Sequence, residues 1–136
     1  MGRTTRNITK PGFLVEQGNA ARDPGRQVDW DAFGASYENE FGNVELKQGM
    51  VVSLDDTSGK IIPRNTGDSD LAEGILASSA NEDSDEDSLS GYGLIRGGVV
   101  YEDLIDLDGG TLSTIKTELN DNNPYGFNFA SYNDDR

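Results

Sequence analysis

Cysteine and histidine are both absent from this chain of 136 residues. Without cysteine there is neither a disulfide framework nor a thiolate metal site. Without histidine, the commonest general base, the commonest zinc ligand and the Ser-His and Cys-His nucleophile pairs are lost as well. Long apolar runs are also missing. No stretch reaches the roughly 18 apolar residues that a membrane-spanning helix needs, and the N-terminus lacks the apolar segment of a secretory signal. The expectation is a soluble protein, made without export by the general secretory route, with no membrane partner.

Positive charge is scarce and unevenly placed. Lys and Arg number 11 against 25 Asp and Glu, for a net charge of −14. Five of the basic groups (Arg3, Arg6, Lys10, Arg22, Arg26) fall in the first 26 residues beside only Glu16 and Asp23, so that stretch carries +3 and the remainder −17. Such asymmetry marks an interaction tail. The acidic remainder repels phosphates and anionic membrane surfaces, so no nucleic-acid partner is expected.

Apolar residues are thin overall but concentrated. Leu, Ile, Val and Phe number 30, of which 21 lie in residues 44–119, 7 in residues 1–43 and 2 in residues 120–136. The core is therefore expected in the middle, and the chain divides into an extended N-terminal arm, 1–43, and a compact domain, 44–136. Within 1–27, Pro11, Pro24 and four glycines surround one apolar cluster, Phe13-Leu14-Val15. So little apolar surface does not offset an ordering cost of about 1–2 kcal/mol per residue, so the arm is expected to order on binding, a merely disordered tail being the alternative. Its candidate contact residues are Arg3, Arg6, Ile8, Phe13, Leu14 and Val15. Residues 28–43 hold the only tryptophan, and Trp30, Phe33, Tyr37 and Phe41 are spaced to line one face of a short helix, a loop laid over the core being the alternative. These four are candidates for a subunit or partner interface, where aromatic residues are enriched; the alternative is that they cover one end of the domain's own core.

From Val44 short apolar runs alternate with Asp/Gly/Ser turns. The pattern predicts a strand from Val44, a strand Met50–Leu54, a hairpin turn at Asp55–Gly59, a return strand Lys60–Pro63 and a strand Leu71–Ala77, in which Gly74 marks a bulge or close backbone approach. An acidic, solvated loop follows at 78–88. Beyond it two strands are expected, Tyr92–Arg96 and Val99–Ile105, separated by Gly97-Gly98. Thr111 is a plausible N-cap for a helix through Leu119, and Tyr125, Phe127 and Phe129 alternate in the tail 120–136 as a last strand or second contact arm. The fold class expected is mainly β, a small β-barrel or β-tulip with one short C-terminal helix and the N-terminal arm.

Chemistry-bearing patterns are weak. Among so many carboxylates chance neighbours are common and no spacing marks an acid–base pair, so an enzyme is not expected. The runs Glu82-Asp83-Asp85-Glu86-Asp87 and Asp106-Asp108 suit hard-oxygen ligation of calcium, yet neither matches an EF-hand, and solvated loops are the simpler expectation. Gly91-Tyr92-Gly93 lacks the context of a dinucleotide fingerprint, and no Walker-type lysine exists. No cofactor and no metal site are expected.

The order KQGMVVSLDDTSGKIIPRNTGDSDLAEGIL at residues 47–76, followed by GYGLIRGGVVYEDL at 91–104, resembles the core of phage head decoration proteins, also called capsid cement proteins. The resemblance covers about residues 44–107. It implies a β-barrel or β-tulip subunit, commonly a homotrimer, on the outer surface of an icosahedral virion, where it ties together neighbouring major capsid proteins through an arm that adds as a strand to a capsid sheet. Two other readings remain at this stage: an acidic DNA mimic that inhibits a nuclease, and a calcium- or glycan-binding β module.

Overall fold

The structure, a computed structural model, describes residues 13–15, 20–23, 26–65, 67, 69–82 and 93–132. It is mainly β. The strands are β1 (Ala21–Asp23), β2 (Glu45–Leu46), β3 (Val51–Leu54), β4 (Ile61–Pro63), β5 (Gly74–Leu76), β6 (Ala80–Asn81), β7 (Leu94–Tyr101) and β8 (Phe127–Ala130), with one α-helix among the described residues, α1 (Leu112–Asp121). A six-stranded sheet runs β1-β7-β5-β3-β4, with β8 also on β7, and β2 pairs with β6 separately. All pairings are antiparallel except the parallel β7–β8 ladder.

The β3–β4 hairpin forms where the turn residues predict it. The Asp55 carboxylate accepts from Thr57 N at 3.1 Å and Ser58 N at 2.7 Å, and Gly59 supplies a φ of +74° that closes the turn. Every residue of β3 is buried, because both faces of this sheet are covered. Successive side chains alternate between them. Val51, Ile75 and Ile95 face a core under α1 with Val100, Ile115, Leu119 and Phe127. Val52, Leu76 and Leu94 face a second core with Val28, Phe33, Leu46, Met50 and Ile61.

Gly74 is a close-approach glycine. A Cβ there would lie 2.7 Å from Leu94 Cγ and 3.0 Å from the Ile95 carbonyl oxygen. The two strands expected on either side of Gly97-Gly98 are instead one, β7. Its register against β1 slips at Arg96, since Ala21 pairs with Gly97 and Arg22 with Ile95. The glycines absorb that bulge and admit the neighbouring turn, a Cβ on Gly97 falling 3.0 Å from Gly126 O. Helix α1 starts after Thr111 as expected, although the Thr111 hydroxyl bonds Thr114 Oγ1 rather than a backbone N–H, and it runs two residues past Leu119. The alternating tail is a last strand, β8.

The division at residue 43 is corrected by this architecture. At Val100 of β7, Phe129 pairs on one edge and Leu14 on the other; β1 pairs with β7, and Val28 bridges Ile61. The described parts of 13–43 are therefore built into the same body as 44–132. Apolar count along the chain undervalued them because a few large side chains suffice where they close an existing core.

Candidate interaction surface

Of the six residues assigned to a capsid-binding arm, Arg3, Arg6 and Ile8 lie outside the described residues. Phe13 and Leu14 are buried, at 3% and 6% exposure, in the core beneath α1. Tyr101 N donates to Phe13 O at 2.7 Å and Val15 N to Val99 O at 2.9 Å. This triplet is an edge segment of the chain's own sheet, so Phe13 and Leu14 are not outward anchors. Val15 alone of the three is exposed.

The aromatic segment forms no continuous helix but two 3-10 turns, Trp30–Ala32 and Ala35–Tyr37, with Gly34 between them. Phe33 is buried and Trp30 and Tyr37 pack beside it in the second core. The Phe33 and Tyr37 rings meet edge to face, 5.1 Å between centroids, a preferred aromatic geometry. Three of the four predicted interface aromatics thus close the domain's own core. Phe41 does not: it is 78% exposed.

Tyr37 also carries the polar side of this region. Its hydroxyl donates to Asp108 Oδ2 at 2.6 Å, in a cleft of about 370 Å³ lined by Glu38, Asn39, Glu45, Lys47, Met50 and Asp106 among others. Burial, and then the bond to Asp108, push the Tyr37 phenol above its ordinary range. The Asp108 carboxyl is also raised, chiefly by burial and by the Asp106 charge, with the Tyr37 bond and Arg64 pulling the other way. Asp108 sits at φ +50° and takes a bond from its own N–H to Asp106 Oδ1 at 2.9 Å. Among the described residues no group of three or more His, Cys, Asp or Glu is arranged to hold a metal ion. The acidic run after Glu82, Asp83 to Asp87, lies outside the described residues.

A second polar constellation binds α1 to the sheet and was not read from the sequence. Arg64 grips Glu118 with two bonds, Nε to Oε1 at 2.7 Å and Nη2 to Oε2 at 2.8 Å, and Ala72 N donates to the same Oε1 at 2.8 Å. Both side chains are under 10% exposed. The Arg64 bond first, with help from the Ala72 N–H, holds the Glu118 carboxyl below its usual range despite burial. Nearby, Arg96 Nε donates to buried Asn123 Oδ1 at 2.6 Å, Arg96 Nη1 lies 3.6 Å from Asp23, and Arg26 joins Asp23 to the Gly59 carbonyl. This chain of contacts ties β1, the β3–β4 turn and the end of α1 together.

Tyr125, 82% exposed, is a second free aromatic. It stands in a turn where Gly126 N donates to Asn123 O at 3.1 Å, with Gly126 at φ +70°. The Asn122–Gly126 turn signal was present in the sequence; the alternation with Phe127 and Phe129 masked it. Among the described residues no helix is long and apolar enough to cross a membrane. No family model, no curated protein and no solved structure matches this chain.

Proposed function

We propose that the chain is a structural virion protein, a β-tulip-like subunit that seats on the outer surface of an icosahedral phage capsid, ties neighbouring major capsid proteins together and acts as a homotrimer without enzymatic activity. One observation carries the reading: the two tracts that bear the resemblance to head decoration proteins, 47–76 and 91–104, supply β3, β4, β5 and β7, which stand next to one another in a single sheet. A resemblance scattered over unrelated elements would carry no such weight.

The docking part is shorter than first expected. Since residues 13–15 belong to the body's own sheet, outward reach falls to residues 1–12, which hold Arg3, Arg6 and Lys10 and no acidic residue. Twelve extended residues span at most about 40 Å. An extended segment added to an exposed sheet edge gains main-chain hydrogen bonds, with Ile8 available for a pocket. Three such segments on a trimer raise avidity by about 10²–10⁴ over one. Because they bind the assembled shell and not its dissociated subunits, they stabilise the assembled state.

The test is co-sedimentation with heads purified from a phage deleted for this gene. The wild-type chain should pellet with heads and raise their resistance to heat. Replacing Arg3, Arg6 and Lys10 together by serine should reduce the bound fraction while the free protein keeps its melting temperature. Wild-type protein remaining in the supernatant would refute the proposal.

A further inference from the structure

Phe41 is the one member of its aromatic segment that the body does not use. Trp30, Phe33 and Tyr37 are engaged in the second core, whereas Phe41 stands 78% exposed at the tip of the loop Asn39–Asn43.

That loop is rigidly built. Asn39 N donates to Asn43 O at 2.8 Å and Gly42 N to Asn39 O at 3.1 Å. The Asn39 side-chain oxygen accepts from Phe41 N at 2.8 Å and Asn43 N at 3.1 Å, and its amide nitrogen donates to Glu45 Oε2 at 2.8 Å. Gly42 takes φ +82°, a conformation that costs it nothing. At the base of the loop Glu38 bridges Val44, and Glu82 clamps Val44 by two bonds, accepting from Val44 N at 2.9 Å and donating its own N–H to Val44 O at 3.0 Å. A backbone held in this way presents the Phe41 ring from a formed loop, so docking spares the backbone ordering cost that an unformed loop incurs.

Its surroundings define the partner. Residues 28–46 contain five acidic groups, Asp29, Asp31, Glu38, Glu40 and Glu45, and no Lys or Arg; Lys47, next along the chain, lines the same cleft as Glu38 and Glu45. Glu38, Glu40 and Glu45 are exposed, Glu40 next to Phe41 in the chain, Glu38 at the base of the loop and Glu45 tied to it through Asn39. An apolar knob inside an acidic collar is complementary to an apolar pocket edged by basic groups, the knob supplying burial and the collar steering and registering the encounter. The same loop of another copy is a poor match, because it would set Glu38, Glu40 and Glu45 against like charges.

We infer that Phe41 is the docking anchor of this chain, inserting into an apolar pocket rimmed by Arg or Lys on a protein partner. Resting on the capsid reading, the inference assigns that pocket to the major capsid protein. It adds a contact on the body, independent of residues 1–12.

The experiment uses the full chain and decoration-free heads. Phe41→Ala should weaken head binding by about thirtyfold, the scale of an interface hot spot, with an unchanged melting temperature; Phe41→Leu should retain most of the affinity. A benzoylphenylalanine in place of Phe41 should cross-link on irradiation to a major capsid peptide containing apolar residues beside Arg or Lys. The same group in place of Thr57, in the exposed β3–β4 turn, should not. Glu38→Gln with Glu40→Gln should flatten the salt dependence of binding. If the wild-type chain binds and Phe41→Ala binds equally well, the anchor is refuted and the capsid reading stands. If the wild-type chain does not bind at all, both fall.

Discussion

The two faces of the central sheet are covered by different means. Over Val51, Ile75 and Ile95 lies one regular helix, α1, of 10 residues. Over Val52, Leu76 and Leu94 lies an irregular stretch, from Val28 to Met50, whose only helical pieces are the two short 3-10 turns. A helix this short is marginal alone, and it is fastened by the buried Arg64–Glu118 pair, which holds it to the loop between β4 and β5. The irregular cover uses backbone bonds to the sheet edge, Ile61 N to Gln27 O at 2.8 Å and Asp29 N to Ile61 O at 3.0 Å, with Phe33 plugged beneath. One cover is held on by charge and the other by shape.

The largest effects should come from breaking each fastening in turn. Glu118→Ala strands the Arg64 guanidinium and the Ala72 N–H in a buried place, and should cost about 3–5 kcal/mol in urea unfolding. Arg64→Met together with Glu118→Leu removes both charges, leaving only the Ala72 N–H without its acceptor, and should recover the part of that loss due to the orphaned charge. If the double variant is as unstable as Glu118→Ala, the fastening is not electrostatic. On the other face Phe33→Ala should cost about 3 kcal/mol with no rescue from charge changes. Next in size, Gly74→Ala should cost about 1–3 kcal/mol by overpacking, since the added methyl meets the Ile95 carbonyl oxygen and the Leu94 side chain. The methyl enters on the Leu94 side, so the strain falls on the second core.

The same contrast explains what could be read from the sequence. The α1 face was legible: Leu112, Ile115 and Leu119 repeat at helical spacing, the β3–β4 turn follows its Asp and Gly residues, and Gly74 marked a real close approach. Its fastener was not, because Arg64 and Glu118 are 54 residues apart and nothing in either neighbourhood singles out that arginine or that glutamate. The segments read as an arm serve both faces: Phe13 and Leu14 close the core under α1, and Val28 and Phe33 the other. They are sparse apolar residues among glycines and polar groups, and local composition cannot show that a core formed by distant strands is waiting for them. Trp30, Phe33, Tyr37 and Phe41 stand out in the sequence as an aromatic group, but spacing alone does not say which ring turns inward. Only the loop built by Asn39 and Gly42 decides that Phe41 turns out.

The smallest expected effect sets the two faces apart by pH. Glu118 is held below its ordinary range by Arg64, so its contribution is present above an unfolded value of about 4.3 and is lost as pH falls through the lowered folded value. Asp108, on the other side, is raised mainly by burial, so its contribution is present below about 3.9 and is lost as pH rises through the raised folded value. Asp108→Asn keeps an acceptor for the Tyr37 hydroxyl, tolerates φ +50° at least as well as aspartate, and removes a half-buried charge beside Asp106. It should therefore stabilise the fold at pH 7, by about 0.5 kcal/mol or less, and the gain should vanish near pH 3. Glu118→Gln should show a deficit over the same interval, largest at pH 7 and fading in acid. Thermal unfolding of the two variants across that range should give differences from the wild type that both grow with pH and carry opposite signs. A loss of stability for Asp108→Asn at pH 7 would mean that the Tyr37–Asp108 bond outweighs the burial of the carboxylate, and that the irregular cover is fastened by charge after all.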